Sequence, residues 1–565
     1  MTSLGAFTLV LHSHLPYVRL SGRWPHGEEW IHEAAVETYI PLLSVLYDLK
    51  DEGVDFRLNI GFTPVLAEQL SDPLVLQHLD DYLDMRIAAA TSDIAYFESP
   101  ESADGHLRYL AEWYKNLFTM IKTAFNERFE RDIIGAFRRL QDAGYIEIIA
   151  GAATHPYLPL IARDSTIRAQ IKTGIHSYER LFGKKPTSFW LPECAYRPAY
   201  YADAGQIRPG LEQFLAEQNL RVFFSETHLI TGGQPVGVAG GDVIGPYGTV
   251  KRRYVLPMSS ESSNPERSAT TFSAYYVADT TTGSQAVTHS GVAVIGRNSR
   301  TGQQVWSADW GYPGDFDYRE FHRKAGTSGI QYWRVTGKQI DLSQKDVYHP
   351  EWAASKVDQH AEHYVHLVGD LIREHAQKTG CYGLIASTYD TELFGHWWFE
   401  GVQWLGKVLR YLAADKSIDL MTASAYLTAH PPTEVLNLPE GSWGAGGEHF
   451  VWDNAENHWM WQPLHEVEAR MAALAARFQT PTEDELTILN QAAREALLMQ
   501  SSDWQFQVTT GQAREYAIQR FNQHFERFEK LVGGLETGEL DTVYANELFE
   551  QDHLFPDIDF RWFAD

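Results

Sequence analysis

Cysteine is nearly absent: Cys194 and Cys381 are the only two in 565 residues. Two thiols build no disulfide framework, which favours a reducing compartment. Positive charge is short as well. There are 47 lysines and arginines against 74 aspartates and glutamates, a formal net charge of -27, so a nucleic-acid backbone is repelled. Long apolar runs are missing too. The opening MTSLGAFTLVLHSHLPY carries no basic leader, and its apolar stretch is too short for a signal peptide or a membrane span. The expected setting is the cytoplasm, with no membrane and no nucleic acid as partner. No internal repeat of fixed period and no low-complexity tract interrupts the chain.

What is abundant is aromatic. The chain has 17 Trp, 28 Tyr and 28 Phe, 13% of all residues. Such content fills a bulky core. It also suits a carbohydrate groove, because flat rings stack on the apolar faces of sugars while their polar edges stay wet.

Short, nearly continuous hydrophobic runs recur: FTLVLHSH, FRLNIGFT, YIEIIAGAATH, SFWLPE, LRVFFSE, GVAVIGRN, YGLIASTYD and IDLMTASAY. Runs of this kind fit strands buried on both faces. Several lead into helical periodicity, as HWWFEGVQWLGKVLRYLA does after STYD. The alternation predicts a parallel βα architecture. Residues 75–140 read as a helical insert. Residues 1–74 and 141–429 then form one catalytic unit. Beyond 430 the strands stop, and amphipathic segments predict a C-terminal helical domain over 430–565. The Gly-, Thr- and Ser-rich stretch 231–290 reads as a lid with an irregular β-excursion.

In a βα barrel, functional groups collect at the C-terminal ends of the strands. That rule selects His12 and His14 after FTLVL, His155 after EIIAGAA, Glu193 after SFWLP, Glu226 after VFFS and Asp390 after GLIAST. Glu193 and Asp390 form the expected working pair. A glycosidic bond needs one carboxylate to attack the anomeric carbon and a second to protonate the leaving oxygen, about five ångströms away. Glu193 takes the nucleophile's role and Asp390 that of the acid/base. His12 and His155 are expected to donate to sugar hydroxyls. His14 is expected to be structural and to point away from His12. A competing arrangement is a metal-dependent hydrolase built from His12, His14, His155 and Asp390, with an open position for water; it leaves Glu193 unexplained.

Tryptophans gather in VWSADWGYPGDFDYREFH, with Trp306 and Trp310, and in GSWGAGGEHFVWDNAENHWMWQ, with Trp443, Trp452, Trp459 and Trp461. Glycine-rich spacing puts Trp443 on a loop, where a ring serves as a ligand platform. Trp459 and Trp461 are expected in the core. Asp503, in SSDWQFQ, is read as a helix-end residue that also reaches substrate.

Five segments in order, HSHLPY, GAATHPYLPL, FWLPECAY, STYDTELFGHWWFEG and VWDNAENHWMWQ, resemble the motifs of glycoside hydrolase family 57, in particular its glucan-branching group. The resemblance implies an incomplete (β/α)7 barrel with an inserted helical domain and a C-terminal all-helical domain. One of the eight strand candidates then lies outside the barrel. It implies an α-1,4-glucan as substrate, transfer of the cleaved chain to a 6-hydroxyl, and no metal or organic cofactor. Glu193 and Asp390 fall on the family's nucleophile and acid/base. Trp306, Trp443 and Trp452 fall where acceptor-side tryptophans lie. A mobile loop with a tyrosine over the site is implied, for which Tyr247 is the candidate and Tyr254 the alternative. An α-amylase or a 4-α-glucanotransferase of the same family shares these motifs, and a catalytically inert glucan-binding protein is a further alternative.

Overall fold

A computed structural model describes residues 3–564 apart from 24, 203–204, 234–242, 246–247, 251–266, 280–287 and 308–310. The strands of the central sheet are β1 (Gly5–Ser13), β2 (Leu58–Phe62), β3 (Ile146–Gly151), β4 (Ser188–Trp190), β5 (Val222–Ser225), β6 (Ala274–Asp279), β7 (Thr288–Gly296), β8 (Gly383–Asp390), β9 (Ile418–Leu420) and β10 (Val435–Leu436). Their order is β8-β1-β2-β3-β4-β5-β7-β6-β10. From β8 through β7 every pairing is parallel. A parallel bridge from Arg297, just past β7, to Ala386 of β8 brings the ends of that seven-strand run together. β6 joins antiparallel outside the run. The IDLMTASAY candidate is the one outside the barrel: β9 pairs only with Gly5–Phe7, at the start of β1.

Alternation along β1 sorts its side chains. Phe7, Leu9 and Leu11 join the large apolar layer between barrel and helices, while Ala6 and Val10 meet Ile149, Trp190, Phe224 and Ala386 in the lumen. His12 continues the inward set. Helix Asp164–Phe182 packs onto β3 so closely that a Cβ on Gly174 would sit 2.1 Å from the Gly151 carbonyl oxygen. Only glycine fits there.

Helices α1 (Pro73–Glu98) and α2 (Gly105–Thr123) intervene between β2 and β3. Asp72 and Asp104 cap them by accepting from the first free N–H groups. The C-terminal helices are α3 (Trp461–Arg477), α4 (Glu483–Met499), α5 (Ser502–Thr510), α6 (Arg514–Thr537) and α7 (Thr542–Gln551). A capping box between Thr482 and Glu485 starts α4. These helices have their own apolar core, which also takes in Tyr17, Ala153, Tyr157 and Trp452 from the barrel side. Among the described residues no helix is long and apolar enough to cross a membrane.

Candidate active site

The strand ends converge. His12 of β1 stands in register with Asp390 of β8. The His12 ring lies flat on Trp190 at 4.4 Å, and its Nε2 is 3.2 Å from Nε2 of His155. His155 follows β3 with φ 58, and its Nδ1 is 3.0 Å from Ser502 Oγ. Its carbonyl accepts the Ser502 N–H at 3.0 Å, so the start of α5 is fastened to the barrel rim.

Glu193 has φ 61 and ψ 22, and Cys194 after it has φ 48. Left-handed backbone at non-glycine residues costs about 1–3 kcal/mol each and persists where the surroundings enforce it. Here the enforcement is visible. Trp443 donates its backbone N–H to the Glu193 carbonyl at 3.1 Å and its indole N–H to Glu193 Oε2 at 2.7 Å. Tyr196 and Gly441 exchange backbone bonds of 2.8 and 3.1 Å beside it. Glu193 Oε1 is 3.5 Å from Ser502 Oγ and 3.8 Å from His155 Nδ1. The side chain keeps 15% exposure, and Asp390 is also partly open.

Burial sets the electrostatics. It pushes Glu193 up to about 7, with the Trp443 N–H pulling down and Asp390 adding to the rise. It lifts Asp390 to about 7 as well, against the pull of His14 and Arg297. Two interacting carboxyls of this kind lose their protons as a pair. Burial holds His12 and His155 well below the usual imidazole range, so both are neutral at pH 7. Burial also pulls His14 down, but the charge and hydrogen bonds of Asp503 outweigh it and hold His14 above its usual value.

Several expectations change. His14 does not point away from His12: residues two apart on a strand share a face. Its ring stacks on His155 at 3.9 Å and bonds Thr63 at 3.0 Å and Asp503 at 3.0 and 3.1 Å. Asp503 accepts from Ser501 as well, at 2.5 Å. Trp452 is buried and stacks on Tyr157 at 4.3 Å, a core position. Trp461 is buried as expected, but Trp459 is exposed. Trp306 is exposed at the end of helix Ser299–Trp306. Trp310, Tyr247 and Tyr254 lie outside the described residues. The imidazoles do not gather with Asp390: their nitrogens face each other, Thr63, Ser502 and Asp503, and the group of three or more His and carboxylate side chains close enough to share an ion among the described residues is Glu495, His524 and Asp552, far along the chain.

Sequence reasoning also missed participants. Arg297 ends the GVAVIGRN run, pairs with Glu226 and lies 6.0 Å from the Trp443 ring; the strand-end rule, applied once more, finds it. Glu392 sits inside a quoted motif, two residues past the strand end that the rule selects. Tyr39 and Ser502 carry no local signal.

Two carboxyl groups at the C-terminal rim of a parallel βα barrel, walled by aromatics, fit the glycoside hydrolase class. The family model for glycosyl hydrolase family 57 matches residues 8–439, and the chain belongs to that family. A second model, for the C-terminal part of 1,4-alpha-glucan branching enzymes, matches residues 463–563. The chain is 44% identical over 562 residues to the 1,4-alpha-glucan branching enzyme of Thermococcus kodakarensis, covering 98% of this chain and 77% of that one. It is 30% identical to a probable 1,4-alpha-glucan branching enzyme of Mycobacterium tuberculosis, covering 99% and 98%. The crystal structure of the Thermococcus enzyme, in complex with glucose and additives, superposes with a TM-score of 0.88 at 42% identity over 100% of this chain and 97% of that one. The alpha-amylase AmyC of Thermotoga maritima superposes with a TM-score of 0.80 at 30% identity over 99% of each.

Proposed function

We propose that this chain is an α-1,4-glucan branching enzyme working by double displacement with retention, with Glu193 as nucleophile and Asp390 as acid/base. The support is one conjunction. Two partly open carboxyls with pKa values near 7 share a chain with a segment matching the branching-enzyme C-terminal model.

The Trp443 N–H favours the ionised form of Glu193, the state a nucleophile needs, and the first step requires the pair's proton on Asp390. Glu193 attacks the anomeric carbon, the glycosidic C–O bond breaks, and Asp390 gives its proton to the leaving oxygen. The glucan is then an ester on Glu193. Asp390, now a carboxylate, takes the proton from an acceptor 6-hydroxyl, whose oxygen attacks the same carbon and frees Glu193. Neutral His12 and His155, bonded to each other and to Ser502, support the rim around the pair.

Water competes with the 6-hydroxyl for the same ester, and the similarity to an alpha-amylase favours hydrolysis as the second reading. Incubation with amylose, followed by a debranching enzyme and sizing of the released chains, separates them. The expected result is new short chains released by debranching, with no matching rise in reducing ends during the first step. A rise in reducing ends without new branches assigns the amylase reaction instead.

A further inference from the structure

We propose that Glu392 serves this site as a neutral carboxylic acid: it locks the end of β1 to the turn carrying Asp390, and its ionisation switches the site off at alkaline pH. The inference rests on the reading of Asp390 as acid/base.

Glu392 lies two residues beyond Asp390 in the short turn Thr391–Leu393, and it is 3% exposed. Its Oε1 accepts the backbone N–H of His14 at 3.2 Å and the hydroxyl of Tyr39. A second bolt runs beside it, from Ser13 Oγ to Thr391 Oγ1 at 2.7 Å. Tyr39 reaches this point from the π-helical turn Ala35–Tyr39, a distortion that recurs at functional sites. The turn is held against the Asp390 segment. Gly395 has φ +104, and a Cβ there would sit 1.9 Å from the Glu37 carbonyl oxygen. The Glu37 side chain pairs with Arg319 and His396, each at 2.9 Å. Glu392 is therefore the point where three segments, β1, the π-turn and the end of β8, are tied together.

The groups that face it decide its charge. They are Asp390 on its own turn, His14 at the end of β1 and Tyr39 from the π-turn. The His14 ring is turned to Thr63 and Asp503, Arg297 is paired with Glu226, and Arg319 with Glu37. Among the described residues no lysine or arginine pairs with Glu392. A buried carboxyl with no lysine or arginine against it, beside a second carboxyl, favours its protonated form. Burial, with Asp390 adding to the rise, outweighs the Tyr39 hydrogen bond, a backbone hydrogen bond and the charge of His14, and carries it up to about 8. Protonated, it accepts both donors and adds no negative charge beside Asp390. Ionised, it sets a second charge against the acid that must protonate the leaving group.

The test compares kcat/KM against pH for the native enzyme, Glu392→Gln, Glu392→Ala and Asp390→Asn, on the same α-glucan. Two required protons give an alkaline limb that steepens toward a slope of about -2, whereas one gives about -1. The native enzyme is expected to show the steeper limb. Glu392→Gln accepts the same two hydrogen bonds and cannot ionise, so it keeps kcat within about fivefold and shows the shallower limb. Glu392→Ala is expected to lose about tenfold or more in kcat while melting as a folded protein. An unchanged limb in Glu392→Gln overturns the inference, as does a Glu392→Gln enzyme as damaged as Glu392→Ala. If Asp390→Asn is inactive in that case, the inference falls alone. Near-normal turnover by Asp390→Asn overturns the acid/base reading and the inference with it.

Discussion

Glu193, Asp390 and Glu392 at the barrel rim and Glu495 and Asp552 among the C-terminal helices are all acids drawn away from water, but their neighbours differ. In the helices, Asp552 is met by Arg527, and Glu495 Oε2 by His524 Nδ1 at 2.7 Å and by Arg527 at 3.8 Å. Arg527 supplies there the cation such a cluster requires. At the rim, Glu193 is met by an indole N–H, and Glu392 by a hydroxyl and an amide N–H. The first arrangement ties α4, α6 and α7 together. The second leaves Glu193 and Asp390 near 7, with Glu193 on left-handed backbone. Burial lifts the carboxyls of both groups, Asp552 to about 6 among them; what differs is the guanidinium held directly against the helix acids and the open rim around Glu193 and Asp390.

The largest break in the comparison comes from the rim. Glu193→Gln or Asp390→Asn should lower kcat on amylose about a thousandfold or more, roughly 4 kcal/mol of transition-state stabilisation, with folding intact by melting. In the helices the effect should be reversed. Arg527→Met leaves two buried acids without their guanidinium, and denaturant unfolding should show a loss of about 3–5 kcal/mol, with kcat per folded molecule within about twofold.

A smaller effect sharpens the contrast. Folding raises the Glu193 pKa from the ordinary 4.5 to about 7, so the folded state holds that proton more tightly than the unfolded chain. Stability linked to this group is full below pH 4.5 and is lost as pH rises toward about 7. Glu193→Gln removes that loss and should stabilise the protein by about 1–3 kcal/mol at pH 8 and less at pH 5, read from unfolding curves at both values. The smallest effect should follow Trp443→Phe. Without the indole N–H, Glu193 ionises less readily, the acidic limb of kcat/KM moves to higher pH, and kcat falls about tenfold, near 1.4 kcal/mol.

Much of this was legible in the sequence. The apolar runs gave the seven barrel strands, and their polar ends gave His12, His155, Glu193 and Asp390, because strand period and barrel geometry both act locally. What escaped was set by contacts distant in sequence. Ser502 reaches Glu193 across 309 positions, and Tyr39 reaches Glu392 across 353. No local pattern encodes such a meeting. Trp452 was placed by resemblance alone; its burial on Tyr157 depends on Gly444, where a Cβ would stand 2.5 Å from the ring.

The account stands on a covalent bond to one side chain. Asp390→Asn, offered an activated α-glucosyl fluoride whose leaving group needs no protonation, should accumulate a glycosyl ester, and peptide mass spectrometry should find the added sugar on Glu193. Turnover of that donor with no trapped sugar, or with the sugar on any other residue, would contradict it.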